Sequence, residues 1–320
     1  MPPSKQAILI ARELLAGGVD VLGERFELRR GGLAATRSEI LALAAGVEAV
    51  IIDPTDAVDE ELLVAAGPQL LVVANNAVGY DNVDLEACRR HGVLVTNTPD
   101  VLTNATAELA LALTLAAARG LGNAEGELRD GLWTGWTPGA HLGSELSGAT
   151  FGVVGLGRIG RRYAELVRPL AGELLHASTS LKPETESELG ITRVELDELL
   201  TRSDFVSLHA PATRQTRHLI DARALSLMKP SAVLINTARG ALVDSAALAQ
   251  ALADGLIGGA GLDVYETEPS VPDALLKAPN CVLLPHVGSA TATARHAMAR
   301  LAAENVVAVL EGSDPVTPVI

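Results

Sequence analysis

The chain has 320 residues, a formal net charge of −14, 48% hydrophobic residues and only 2% aromatics. A single core rarely grows beyond about 250 to 300 residues, so this length predicts two domains of ordinary size. The acidic surface repels phosphate backbones and no run of Lys and Arg offsets it, so nucleic acid is excluded as an expected partner.

The N-terminal MPPSKQAILIARELL carries an apolar run broken by Arg12 and Glu13, too short for the core of a signal peptide. Aliphatic runs then recur as AILIA (7–11), VEAVIID (47–53), QLLVVAN (69–75) and GVLVTN (92–97), separated by helical stretches such as DEELLVAAG and DLEACRRHG. Continuous Val, Ile and Leu runs suit parallel strands buried on both faces, and Ala-rich helices suit packing against them. Cys88 and Cys281 lie far apart with no C-x-x-C or Cys/His metal spacing. They read as buried thiols of a reduced, intracellular protein with no metal site. The segment ATAELALALTLAAA (105–118) contains Glu108 and falls short of the roughly 20 residues that span a bilayer, so a cytoplasmic protein without a membrane partner is expected. This helix is apolar nearly all round. Either a partner subunit or burial within the chain can cover its second side.

FGVVGLGRIG (151–160) joins an apolar run to glycines at 155, 157 and 160 and then to the helical RRYAELVRPL. In a strand–turn–helix, Gly155 permits the tight turn, Gly157 lets the backbone approach a pyrophosphate, and Gly160 seats the helix close to the strand. Arg158 and Ile159 complete the turn. The spacing alone is a weak signal; a strand before it, a helix after it and further βα units downstream make it a dinucleotide site. An NAD site normally places Asp or Glu at the end of the next strand. Here ELLHAS (173–178) ends at Ser178 and continues through Thr179, Ser180 and Lys182. No carboxylate stands there to repel a 2′-phosphate, and hydroxyls with Lys182 can bind one, so NADP is expected over NAD, with NAD as the alternative.

Further strands follow in FVSLHAP (205–211), AVLINTA (232–238), GAGLDV (259–264) and NCVLLPH (280–286). Two successive sets of βα units imply an α/β fold of two doubly wound, Rossmann-like parallel sheets. Arg239, Glu268 and His286 lie just beyond strands of the second sheet, where such folds bind ligands. A guanidinium grips a carboxylate through two parallel hydrogen bonds. An imidazole can protonate a ketone oxygen as hydride arrives, and a neighbouring carboxylate orients it and raises its pKa. Taken singly, each of the three is better explained as a structural residue; together, downstream of a dinucleotide turn, they form a candidate catalytic set. His209, also at a strand end, is the rival to His286. Residues 289–312 read as one helix with Met298, Leu301, Ala302, Val306, Val309 and Leu310 on one face and Gly312 as its stop. With no sheet of its own, that helix is expected to return to the first domain. The predicted domains are therefore 1–100 with 288–320, discontinuous, and 101–287.

The motifs VGYDNVD (78–84), TNTPDVLTNATAE (96–108), GLWTGW (131–136), GLGRIG (155–160), INTARGALVD (235–244), GLDVYETEP (261–269) and LLPHVGSAT (283–291) together resemble the D-isomer-specific 2-hydroxyacid dehydrogenases. The likeness is greatest to the glyoxylate/hydroxypyruvate reductase branch. It implies a homodimer of two-domain subunits, an active site in the interdomain cleft, and a substrate domain built from both chain ends. The family's catalytic arginine, glutamate and histidine fall on Arg239, Glu268 and His286, and its carboxylate-binding amides on Val78 and Gly79. Thr106, His209, Pro211, Thr237, Ala238, Asp263 and Gly288 match cofactor-lining positions. Trp136 lies where similar reductases send a tryptophan into the neighbouring subunit's active site, while Trp133 is expected to serve packing. Asn76 departs from the aromatic residue common in this branch.

The expected activity is reduction of small 2-keto acids, glyoxylate and hydroxypyruvate first, by hydride transfer from NADPH. His286 donates the proton, Arg239 orients the keto acid and Glu268 supports His286. Two alternatives stay open. One is a dehydrogenase for another 2-hydroxy acid, such as D-lactate or 3-phosphoglycerate; the chain length leaves no room for the regulatory domain that many phosphoglycerate enzymes append. The other is a dinucleotide-sensing corepressor or scaffold on the same fold.

Overall fold

The computed structural model describes residues 5–320. The chain divides into two compact units: one runs through Leu102 and takes in Ser289–Ile320, and the other is Thr103–Gly288. Each unit is built on a wholly parallel sheet.

The first sheet comprises β1 (Ala7–Ile10), β2 (Glu27–Arg30), β3 (Ala49–Ile52), β4 (Val72–Asn75) and β5 (Leu94–Thr96), in the order β2-β1-β3-β4-β5. Strands β1, β3 and β4 are buried along their whole length, as aliphatic runs covered on both faces must be. Strand β2, ELRR, has no aliphatic run and escapes the hydrophobic pattern; it sits at the edge, where charged side chains reach water. The helix Ala292–Leu310 packs on the helix Ala16–Leu22 and on β3 and β4. Small residues allow that approach. A Cβ at Gly18 would lie 2.5 Å from the Ala299 carbonyl oxygen, so any side chain there would push the two helices apart.

The second sheet comprises β6 (Thr150–Val154), β7 (Glu173–Ala177), β8 (Thr192–Arg193), β9 (Phe205–Leu208), β10 (Val233–Asn236), β11 (Gly259–Leu262) and β12 (Cys281–Leu283). Its order is β12-β11-β10-β9-β6-β7-β8, so the winding reverses between β6 and β9. Beyond the carboxyl ends of those two strands lies the crevice where open α/β sheets bind ligands. The helix Thr103–Ala118 lies over β10, β11 and β12 and packs on the helix Arg158–Val167. It buries Ala107, Ala110, Leu113 and Ala117 inside the unit and leaves Leu115 exposed, so the chain itself covers most of this apolar helix.

Burial pushes the Cys88 thiol up to about 11 and the partly buried Cys281 thiol up to about 12. Neither supplies a thiolate near neutral pH. Among the described residues no helix is long and apolar enough to cross a membrane, and no group of three or more His, Cys, Asp and Glu could hold a metal ion.

Candidate active site

At the end of β6 the chain turns through Gly155, whose φ of +93° favours glycine. A Cβ there would meet Ala210 N at 2.7 Å, and one at Gly160 would meet Gly155 O at 2.1 Å. The turn is thus wedged between the end of β9 and the first turn of the helix Arg158–Val167. Gly157 differs, since a Cβ at that position meets nothing within 4 Å. The chain itself demands glycine at 155 and 160; at 157 the open space lies beside a helix N-terminus, where the diphosphate of a dinucleotide fits. A second observation fits the same ligand. Thr237, after β10, is 8% exposed and its Oγ1 is buried without a partner, an acceptor or donor left for a bound group.

The far side of the turn is tied to β7. Gly155 N donates to Ala177 O at 2.8 Å, and Leu156 N donates to Ser178 Oγ at 2.7 Å. Ser178 therefore faces inward to the turn, whereas Thr179 and Ser180 are exposed and Lys182 partly so. Pro211, after β9, is also exposed and accepts from Thr216 Oγ1.

Arg239 is aimed by what surrounds it. Fully buried Asn236 receives the Ala238 amide at 3.0 Å and donates to the Arg239 carbonyl at 2.9 Å, folding the chain after β10 into a tight loop. Gly240 then lets this loop lie on the next one, because a Cβ there would sit 1.9 Å from Tyr265 C. The Arg239 side chain donates to Ala238 O, and its charge reaches Glu268.

His286 is held from two directions. Asp263, fully buried after β11, accepts the Val287 and Gly288 amides at 2.7 Å each, while its carbonyl accepts the His286 amide at 2.9 Å. Burial pushes the Asp263 pKa up against the pull of those amides. Thr106 Oγ1 donates to the Gly288 carbonyl at 3.2 Å and closes the same loop. Within it His286 adopts φ +53°, a left-handed conformation that a non-glycine residue keeps only where its surroundings impose it. Its Nδ1 meets Glu268 Oε2 at 2.6 Å, and Glu268 Oε1 accepts the Tyr265 amide at 2.9 Å. Burial works against the Glu268 charge, but the bonds from His286 and Tyr265, with the charges of His286 and Arg239, outweigh it and hold its pKa below the usual carboxylate range. With Nδ1 engaged and the side chain 37% exposed, Nε2 is the nitrogen left for a substrate.

His209 behaves otherwise. Its Nε2 lies 2.9 Å from Ser207 Oγ, its ring tilts on Tyr163 at 5.2 Å, and burial pushes its pKa down to about 3. A ring that stays neutral carries no spare proton near neutral pH, so His209 is no rival to His286 as an acid.

In the first unit, the Val78 and Gly79 carbonyls accept from Asn97 Nδ2 and Asn75 Nδ2, at 2.8 Å each. Their amides have no partner among the described residues. On a turn pinned in this way, two successive amides are available to an anion. Asn76 donates to Asp53 Oδ1 at 3.1 Å, so a polar pair stands where an aromatic side chain is common in similar sequences. Trp133 is 55% exposed, so the packing expected of it is not found within its own chain; Trp136 is 82% exposed. Sequence reading singled out the chemistry-bearing residues but missed Asn75, Asn97 and Asn236, which shape their loops. Their one visible signal is an asparagine close behind an aliphatic run.

Residues 111–288 match the family model of the D-isomer specific 2-hydroxyacid dehydrogenase NAD binding domain. A glyoxylate reductase of Thermococcus litoralis is 44% identical over 317 residues, covering 97% of this chain and 96% of the relative. One from Aeropyrum pernix is 48% identical over 281 residues, covering 86% and 84%. The structure of an NADPH-dependent glyoxylate/hydroxypyruvate reductase from Sinorhizobium meliloti, in complex with NADP and malonate, has 36% identity and a TM-score of 0.87 over 99% of this chain and 97% of that one. With its glycine turn and its histidine–glutamate pair in place, the chain belongs to the D-isomer-specific 2-hydroxyacid dehydrogenase family, in the glyoxylate reductase branch, and is an NAD(P)-dependent oxidoreductase.

Proposed function

We propose that this protein is an NADPH-preferring reductase of small 2-keto acids, glyoxylate and hydroxypyruvate first, with His286 as the proton donor. The observation that carries the reading is the 2.6 Å contact between His286 Nδ1 and Glu268, which fixes the ring and leaves Nε2 as the nitrogen for a substrate. With Nδ1 bonded to Glu268, Nε2 is the atom from which His286 hands a proton to the developing alkoxide. Arg239 pairs with the keto acid's carboxylate through its planar guanidinium. The nicotinamide dinucleotide, when bound, supplies the hydride. Gly155, Gly157, Arg158, Ile159 and Gly160 hold its diphosphate, while Thr106, Pro211, Thr237, Ala238, Asp263 and Gly288 shape the rest of its site.

The preference for NADPH rests on the absence of a carboxylate at the end of β7 and on the exposed hydroxyls of Thr179 and Ser180 beside Lys182. On this reading the Thr103–Gly288 unit is the dinucleotide domain and the other unit the substrate domain. The protein on this reading is cytoplasmic, and the exposed apolar side chains of Leu121, Leu128, Leu132, Trp133, Trp136 and Leu142 support a homodimer in which Trp136 completes the partner's site. Initial rates with NADPH and NADH, each against glyoxylate, hydroxypyruvate, pyruvate and a bulkier keto acid, test the proposal. Glyoxylate and hydroxypyruvate should turn over fastest, and NADPH should outperform NADH. Faster turnover with NADH overturns the cofactor preference. Tight dinucleotide binding without turnover of any keto acid overturns the enzymatic reading in favour of a sensing role.

A further inference from the structure

His176, in β7, is fully buried and belongs to none of the groups that would touch a substrate. Its Nδ1 lies 3.3 Å from Ser178 Oγ and its Nε2 lies 3.2 Å from Glu186 Oε1, the same oxygen that accepts the Lys182 amide at 3.3 Å. The directions of these bonds follow from counting protons. A carboxylate only accepts, so Nε2 carries the hydrogen shared with Glu186. Burial, which lowers the His176 pKa against the pull of Glu186 and together with the charge of Arg193 on the neighbouring β8, favours the neutral ring. Nδ1 is then a bare acceptor, and the one proton of Ser178 must go to it. Ser178 Oγ meanwhile accepts the Leu156 amide of the glycine turn at 2.7 Å. A single relay thus runs from the Leu156 N–H to Ser178, to His176, to Glu186 and back to the main chain at Lys182.

We propose that His176 is a positioning residue for cofactor selectivity: it takes up the only hydroxyl proton of Ser178 and, through Glu186, fixes the loop of Thr179, Ser180 and Lys182 against the glycine turn. Ser178 then offers no donor to the cofactor's adenosine end. Recognition of a 2′-phosphate falls to Thr179, Ser180 and Lys182, and their placement depends on a side chain that never meets the ligand. The inference rests on the reading that the glycine turn binds a dinucleotide.

Nicotinamide fluorescence titrations of NADPH and NADH, with steady-state kinetics at saturating glyoxylate, test it on the full-length protein. His176→Phe, which keeps the volume and removes both bonds, should weaken NADPH binding about tenfold, as expected for losing a buried hydrogen-bonded link. NADH binding should weaken less, so the NADPH/NADH ratio falls, and kcat at saturating cofactor should stay within about twofold of wild type. His176→Gln, which can still reach Glu186, should recover part of the NADPH affinity. Glu186→Ala, which removes at a partly exposed site the acceptor of both the His176 and the Lys182 bonds, should show the same selective loss and serves if the phenylalanine variant does not fold. Unchanged NADPH/NADH ratios in both variants, or equal losses for the two dinucleotides, would overturn the proposal. If the wild-type protein binds neither dinucleotide, the reading of the glycine turn fails, and the inference fails with it.

Discussion

The ends of β9 and β12 make an instructive pair. Both strands belong to one sheet, both run in the same direction, and each is followed at once or nearly so by a histidine: His209 after Leu208, His286 three residues after Leu283. One ring is enclosed by Ser207 and Tyr163 and driven to a pKa of about 3; the other stands over a carboxylate on a loop held in a left-handed turn. Position at a strand end therefore fixes where a residue emerges, while its neighbours decide what it can do. The β9 end forms a wall, since its His209–Ala210 backbone backs directly onto Gly155. The β12 end carries the pair to which the chemistry is assigned in the proposal.

If that division holds, His286→Ala should have the largest effect, lowering kcat by about 10²- to 10⁴-fold while leaving dinucleotide binding near wild type. Retained turnover would place the proton donor elsewhere and break the comparison. Glu268→Gln comes next, with a loss of about 10²-fold, because the ring keeps a hydrogen-bonding neighbour but loses the charged acceptor that orients it through Nδ1. This variant also has a pH signature. Glu268 has its pKa depressed in the native state, so its stabilising contribution is present above the ordinary carboxylate pKa and is lost as pH falls through the lower native value. Melting temperatures of wild type and Glu268→Gln should therefore converge as pH drops through that window. Curves that remain parallel would show that the pair adds nothing to the fold.

Much of this could be read from the chain before its structure was known, and what could not has a physical reason. Strands covered on both faces announce themselves as aliphatic runs, and every such run singled out became a strand or its flank. The edge strands β2 and β8 did not, because ELRR and the two-residue Thr192–Arg193 meet water and have no hydrophobic pattern to show. Arg239, Glu268 and His286 could be singled out as a candidate set because all three follow strands of a dinucleotide fold, and the structure brings His286 onto Glu268 within reach of the Arg239 charge. The inward turn of Ser178 was not readable: whether a hydroxyl at a strand end faces a ligand or its own backbone depends on the Leu156 amide beyond the neighbouring β6, and on how the ring of His176, two residues back on β7, engages its nitrogens.

The wall at β9 can be tested apart from the chemistry. Gly155→Ala forces a side chain into a left-handed backbone 2.7 Å from Ala210 N, and should cost at least about 1 to 2 kcal/mol in denaturant unfolding together with dinucleotide affinity. Gly157→Ala meets nothing in the chain, so it should unfold like wild type and lose only the affinity. Equal unfolding midpoints for the two variants would show that Gly155 is not pressed against β9.

The smallest effect sharpens the contrast between the two rings. His209→Gln gives up the bond to Ser207 and part of the contact with Tyr163, a loss of about 1 kcal/mol near neutral pH. Because the native ring titrates at about 3, below its ordinary value of 6.5, the unfolded chain takes up the proton first as pH falls. Wild-type stability thus begins to drop below about 6.5, and this drop is absent from the variant, so the difference between the two should narrow with acidification and can reverse. The pH–rate profile should keep its shape between about pH 5 and 9, where His209 has no proton to exchange. A shifted profile would mean that the ring at the β9 end takes part in the proton traffic assigned to the β12 end, and the two strand ends would no longer be a wall and a site.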